Sequence, residues 1–109
     1  MTRTPEKKVK DKVVGILKEQ GVYYFFAAMN GMGRSGVPDI ICCYRGRFFA
    51  IECKANGNTP TVLQQREMYK ITEAGGITVV IDETNLDLVR GLIKSLRGTT
   101  YESRTQRGV

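Results

Sequence analysis

Histidine and tryptophan are absent from this 109-residue chain. Without histidine there is no imidazole general base, no His zinc ligand, and no Ser-His or Cys-His nucleophile pair. Cysteine is scarce, with only Cys42, Cys43 and Cys53. An odd number of thiols without CxxC spacing argues against both a disulfide framework and a zinc site. All three read as buried thiols in strands of an intracellular protein. No apolar run approaches the ~20 residues that a membrane-spanning helix needs. Met1–Lys12 is too polar and charged for a secretory signal, so the expected location is the cytoplasm. Acids are the minority, 11 Asp and Glu against 17 Lys and Arg, for a net charge of +6. That excess points to a polyanionic partner, with generic solubility as the plain alternative. The length suits one modest core and excludes tandem catalytic domains.

What is present reads as α-β-β-β-α-β-α. Thr4-Pro5-Glu6 is a helix start, and Val9, Val13, Ile16 and Leu17 form the apolar stripe that follows. Val22–Met29 is dense in aromatics and apolar on both faces, as a strand covered on both sides would be. A glycine-rich loop spans Asn30–Gly36. Asp39–Tyr44 and Arg47–Lys54 are strands joined by an Arg45-Gly46 turn. Thr61 with Gln64 forms a capping box for a second helix, whose inward face is expected to be Leu63, Met68, Ile71 and Ala74. Ile77–Ile81 is a short strand. Thr84 with Asp87 opens a third helix with the stripe Leu86, Val89, Ile93 and Leu96. This order predicts an α/β domain over residues 1–97, a mixed sheet flanked by helices, and a flexible basic tail over 98–109.

The third strand carries the chemistry. Phe49, Ile51 and Cys53 share one face, and Phe48, Ala50, Glu52 and Lys54 the other. A carboxylate and an ammonium therefore end an otherwise apolar strand, where burial demands partners. A rim ion pair would account for those two alone. Asp39, however, enters the strand that the Arg45-Gly46 turn pairs to the Glu52 strand, so the register brings Asp39 near Glu52 or Lys54. Two carboxylates and a lysine then converge. That is what a hard Mg²⁺ or Mn²⁺ site needs, with the lysine free to orient a water or neutralise a phosphate.

Pro38-Asp39, twelve intervening residues and Glu52-Cys53-Lys54 resemble the PD-(D/E)XK nuclease pattern. Gly36-Val37-Pro38-Asp39-Ile40, Thr61-Val62-Leu63-Gln64 and Ala74-Gly75-Gly76 are similar to motifs of the VRR-NUC group within it. The likeness spans about Pro5 to Leu96. It implies a restriction-endonuclease-like α-β-β-β-α-β core and metal binding by Asp39, Glu52 and the backbone carbonyl of Cys53. It further implies that Lys54 acts on the water. Cys53 stands where the family often carries Val or Ile, a mild departure.

Glu6 falls on the apolar stripe of the first helix and so aims an acid at the sheet, like the family's first-helix acid. Its alternative role is to serve the helix dipole. Asp11 falls away from the stripe. Gln64 is expected inward and Gln65 about 100° further round. Arg34 and Ser35 of the glycine-rich loop are candidate phosphate contacts. So are Lys7 and Lys8, within a basic helix face that also holds Lys10 and Lys12. The expected activity is metal-dependent hydrolysis of DNA phosphodiesters, and the working unit a homodimer that resolves four-way junctions. The rivals are a monomeric flap or nicking nuclease and a nucleic-acid-binding module that does not cut.

Overall fold

The computed structural model describes residues 3–27 and 35–98. Seven elements follow in order: α1 (Pro5–Glu19), β1 (Tyr23–Phe26), β2 (Ile40–Tyr44), β3 (Arg47–Cys53), α2 (Val62–Glu73), β4 (Ile77–Ile81) and α3 (Asp87–Arg97). The strands form one sheet in the order β1-β2-β3-β4. The pairs β1–β2 and β2–β3 are antiparallel, and β3–β4 is parallel. The parallel pair requires a crossover, which α2 supplies. This is the α/β architecture that the element order predicts.

Local chemistry explains the elements. Thr4 Oγ1 accepts the Lys7 backbone N–H at 3.1 Å, and Pro5 begins α1. The β2–β3 turn places Arg45 and Gly46 both at positive φ, 50° and 78°, which suits the twist of a two-residue hairpin. That turn fixes the register Ile40↔Ile51, so Asp39 arrives level with Glu52. Val9, Val13, Ile16 and Leu17 of α1 and Val89, Ile93 and Leu96 of α3 pack on Ile40, Cys42, Phe49, Ile51, Cys53 and Ile81. This is the core, on one face of the sheet. On the other face α2 packs against β4.

Several expectations are corrected. The first strand is Tyr23–Phe26, with Ala28 and Met29 of the expected strand outside the described residues. It is an edge strand and is not, as the sequence leads one to expect, covered on both faces: Tyr24 packs against the core, but on the other face Tyr23 is 68% and Phe25 50% exposed. The reason is that β1 has a neighbour on one side only, while α2 lies towards the β4 end. On α2, Leu63 and Ala74 are exposed, and the buried residue is Glu67. The helix turns its Gln64–Glu67–Ile71 face inward, because Gln64 bonds across to β3. Thr84 does not cap α3. Its N–H and hydroxyl bond Asp82 in a tight turn, and α3 starts at Asp87 behind Leu86, which makes no side-chain cap. Cys43 is exposed, since it lies on the open face near the β1 edge; Cys42 and Cys53 are buried. Of the expected tail only Gly98 is described, and 99–109 lie outside the described residues.

One glycine locks the approach to the site. Gly36 has φ +87°, and a Cβ there would lie 2.5 Å from the Leu63 carbonyl carbon and 2.9 Å from Gln64 N. The segment leading to Asp39 is thereby pressed on the first turn of α2. Gly36→Ala is expected to destabilise the fold by about 2 kcal/mol or more, read as a lower urea midpoint.

Candidate active site

The hairpin delivers two acids to one end of the sheet. Asp39 Oδ2 accepts the Cys53 backbone N–H at 2.8 Å, which pins the carboxylate of the loop–strand junction to the neighbouring strand. Glu52, on the opposite face of β3 from Cys53, is 1% exposed. Its Oε2 accepts from Gln64 Nε2 at 2.9 Å and lies 3.4 Å from Lys54 Nζ. The Lys54 side chain is 11% exposed, and its backbone N–H donates to Ile81 O at 2.9 Å. The lysine is therefore held from β4 as well as by its charge.

Gln64 both caps α2 and reaches Glu52. Its Oε1 accepts the Thr61 N–H at 2.8 Å and its N–H donates to Thr61 Oγ1 at 3.2 Å, completing the capping box. The same amide then presents Nε2 to Glu52. The cap thus sets the orientation of the amide that holds the acid. Gln65 is exposed and bonds the Pro60 carbonyl instead.

Glu6 reaches the same place from α1. One carboxylate oxygen from each of Glu6, Asp39 and Glu52 lies within 4.8 Å of the other two. Glu6 is exposed, Asp39 half-buried and Glu52 buried, so the cluster opens to solvent on the α1 side. Asp11 turns away and pairs with Lys7 at 3.2 Å and with Arg3. Glu52 Oε1 is buried without a hydrogen-bond partner among the described residues. A buried anion oxygen left unmatched is costly, and a cation is the natural complement for three converging carboxylates. The donors are all hard oxygens, which fits Mg²⁺ or Mn²⁺ and not a thiophilic metal. Burial, with Asp39 and Glu52 beside it, pushes the Cys53 thiol up to about 12, so its side chain stays a protonated thiol in the core.

The expected basic face is divided. Lys7 and Lys10 line a depression of about 210 Å³ with Thr4, Glu6 and Asp39. Lys8 and Lys12 lie on the other flank, in a depression with Pro5, Val9, Asn56, Glu83 and Leu86. Ser35 is exposed, and Arg34 lies outside the described residues. Sequence reasoning did not single out Lys10 from its neighbours. Its spacing of four from Glu6 was the available signal.

The sequence matches the family described as archaeal Holliday junction resolvase (Hjc) over residues 4–95. It is 33% identical over 81 residues to a protein named "Putative nuclease p44" of Acyrthosiphon pisum secondary endosymbiont phage 1, covering 73% of this chain and 84% of that one. A solved structure described as a VRR_NUC domain superposes with a TM-score of 0.67 at 22% identity, over 82% of this chain and 97% of that one. That last likeness shows the fold.

Burial, reinforced by Asp39 and opposed by Lys54, raises Glu52 from 4.5 to about 7. The folded protein thus keeps a proton that the unfolded chain has released. This group's contribution to stability is full below about pH 4.5 and is lost as the pH rises to about 7. Glu52→Gln, which cannot ionise, is expected to exceed the parent at pH 8 by on the order of 1–3 kcal/mol without divalent ions. Its urea midpoint should show a flatter pH dependence between those limits.

Proposed function

The chain belongs to the family of the archaeal Holliday junction resolvase, a nuclease family, and on that premise we propose that it is a divalent-metal-dependent DNA endonuclease acting on branched substrates. The observation that carries this reading is the meeting of Glu6, Asp39 and Glu52 beside Lys54. Asp39, Glu52 and the Cys53 carbonyl are the proposed ligands, with Glu6 completing the set. When bound, Mg²⁺ or Mn²⁺ supplies neutralising charge at the scissile phosphate and lowers the pKa of water.

The residues divide the remaining work. The Cys53 N–H keeps the Asp39 carboxylate aimed, and the capped Gln64 amide keeps Glu52 in a fixed rotamer. Lys54 presents its ammonium beside Glu52, where it orients the attacking water and stabilises charge that builds on the phosphate oxygens. Water adds to phosphorus in line as the P–O bond to the leaving sugar oxygen breaks. The water proton passes to solvent, and the leaving oxygen gains one. A pure binding module has no use for clustered carboxylates next to a phosphate, which disfavours that rival.

The proposed substrate is a four-way junction and the working unit a homodimer. The described residues of one chain hold one such acidic cluster, and paired nicks need two sites related by symmetry. The row Tyr23↔Cys43↔Phe48 lies on the face of the sheet that α2 covers only towards β4, with Phe48 43% exposed. Such an apolar area is suited to self-association. No helix among the described residues is long and apolar enough to cross a membrane.

Cleavage of a four-way junction is expected to require Mg²⁺ or Mn²⁺. Asp39→Asn and Glu52→Gln should each lower the rate on the order of a hundredfold or more, and Lys54→Ala should lose turnover while retaining DNA affinity. Undiminished cutting in EDTA would refute the metal dependence.

Light scattering at micromolar concentration should report about twice the chain mass of 12.2 kDa. A strict monomer that nicks flaps and makes no paired nicks in junctions would remove the dimer and leave the nuclease chemistry standing.

A further inference from the structure

One cation at the acidic cluster has no part in the chemistry derived above. Lys10 lines the same depression as Glu6 and Asp39. It stands one helical turn beyond Glu6 on α1, at the i,i+4 spacing at which Glu and Lys ordinarily pair. That pair is not formed. Lys10 Nζ lies instead 4.2 Å from the centroid of the Phe26 ring. Elsewhere on the same helix the i,i+4 pair does form, between Lys7 and Asp11 at 3.2 Å.

Phe26 is well placed to hold this cation. It is the last residue of β1, paired with Ile40, and the next residue's N–H donates to the Asp39 carbonyl at 3.2 Å. The backbone that sets Phe26 is therefore tied to the backbone that sets Asp39. Tyr24 leans on the ring, with centroids 6.0 Å apart. A half-exposed phenyl face attracts an ammonium by an amount comparable to a solvated i,i+4 ion pair, and larger where water is partly excluded. The ring can therefore win the lysine from Glu6.

We propose that Phe26 diverts Lys10 from Glu6, so that Glu6 remains open to a divalent cation and the Lys10 ammonium is presented to a DNA backbone phosphate on the α1 side of the cluster. Phe26 is then a positioning residue and Lys10 a phosphate contact. Lys54 serves the reacting side of the cluster, and Lys10 the strand entering from the other. This inference rests on the nuclease reading given above.

The test uses the full chain and two readouts that need no cleavage. Mn²⁺ binding is titrated by electron paramagnetic resonance or calorimetry, and affinity for a four-way junction is measured in Ca²⁺ across a salt series. Phe26→Leu frees Lys10 to fall on Glu6, and is expected to weaken Mn²⁺ binding about 3- to 10-fold. Lys10→Met should leave Mn²⁺ binding equal to the parent's or tighter. It should weaken junction binding about tenfold and reduce the salt slope by about one.

The combined variant Phe26→Leu with Lys10→Met separates positioning from folding. It should recover the parent's Mn²⁺ affinity and retain the Lys10→Met defect on DNA. If it keeps the weakened Mn²⁺ binding, Phe26 is merely structural and the proposal fails. The proposal also fails if Phe26→Leu leaves Mn²⁺ binding unchanged, or if Lys10→Met leaves the junction affinity and salt slope unchanged. A parent protein that binds no Mn²⁺ would overturn the nuclease reading and this inference together, whereas normal parent binding with unaltered variants would overturn this inference alone.

Discussion

Much of this small domain is arranged around the carboxylate of Glu52, which is almost wholly removed from water. An acid in that position must be partnered or neutral. Lys54 answers part of its charge, and the Gln64 amide satisfies one oxygen. Reaching Glu52 with Gln64 in turn fixes the roll of α2 about its axis. That roll places Glu67 inside, where Lys70 bonds it at 3.1 Å, and leaves Leu63 in solvent. The capping box and the close seat of Gly36 on Leu63 hold the same helix end in place. A stretch of unfavourable burial, a rotated helix and a glycine without room for a side chain are thus linked.

The second oxygen of Glu52 is the part that this arrangement does not answer. Asp39 and Glu6 bring further negative charge to the same end of the sheet. The neighbouring acids reinforce the retention of a proton instead of relieving it. Burial and charge therefore conflict at this end of the sheet, while elsewhere in the core apolar side chains pack on one another.

The hairpin and its acids were legible in the sequence because two rules act over short range. A two-residue turn sets the register, and strand alternation sets the face. Gln64 was legible for a similar reason, since a capping box is a local motif. The face of α2 was legible in part. Helical phase sets Glu67 between Leu63 and Ile71, but an acid does not belong to an apolar stripe, and Leu63 and Ala74, at the two ends of the helix, lie in solvent. The position of β1 was hidden. Tyr23–Phe26 announces a strand, but its aromatic density does not distinguish a covered strand from an exposed edge. The Lys10–Phe26 contact joins a helix to a strand through folding of the whole domain, and no spacing rule connects those two positions.

The β2–β3 turn has a consequence for the order in which the molecule assembles. Only twelve residues lie between Asp39 and Glu52, and the two meet as soon as the hairpin closes. Hairpins form in roughly microseconds, well before a parallel strand can be recruited across a helical crossover. The like charges therefore come together early, while β4, Gln64 and the rest of α2 are still absent. Mutual repulsion of the acids opposes closure of the hairpin at that stage, and dissolved cations relieve it. The convergence of acids at the end of this hairpin thus makes the folding rate itself sensitive to the ionic medium.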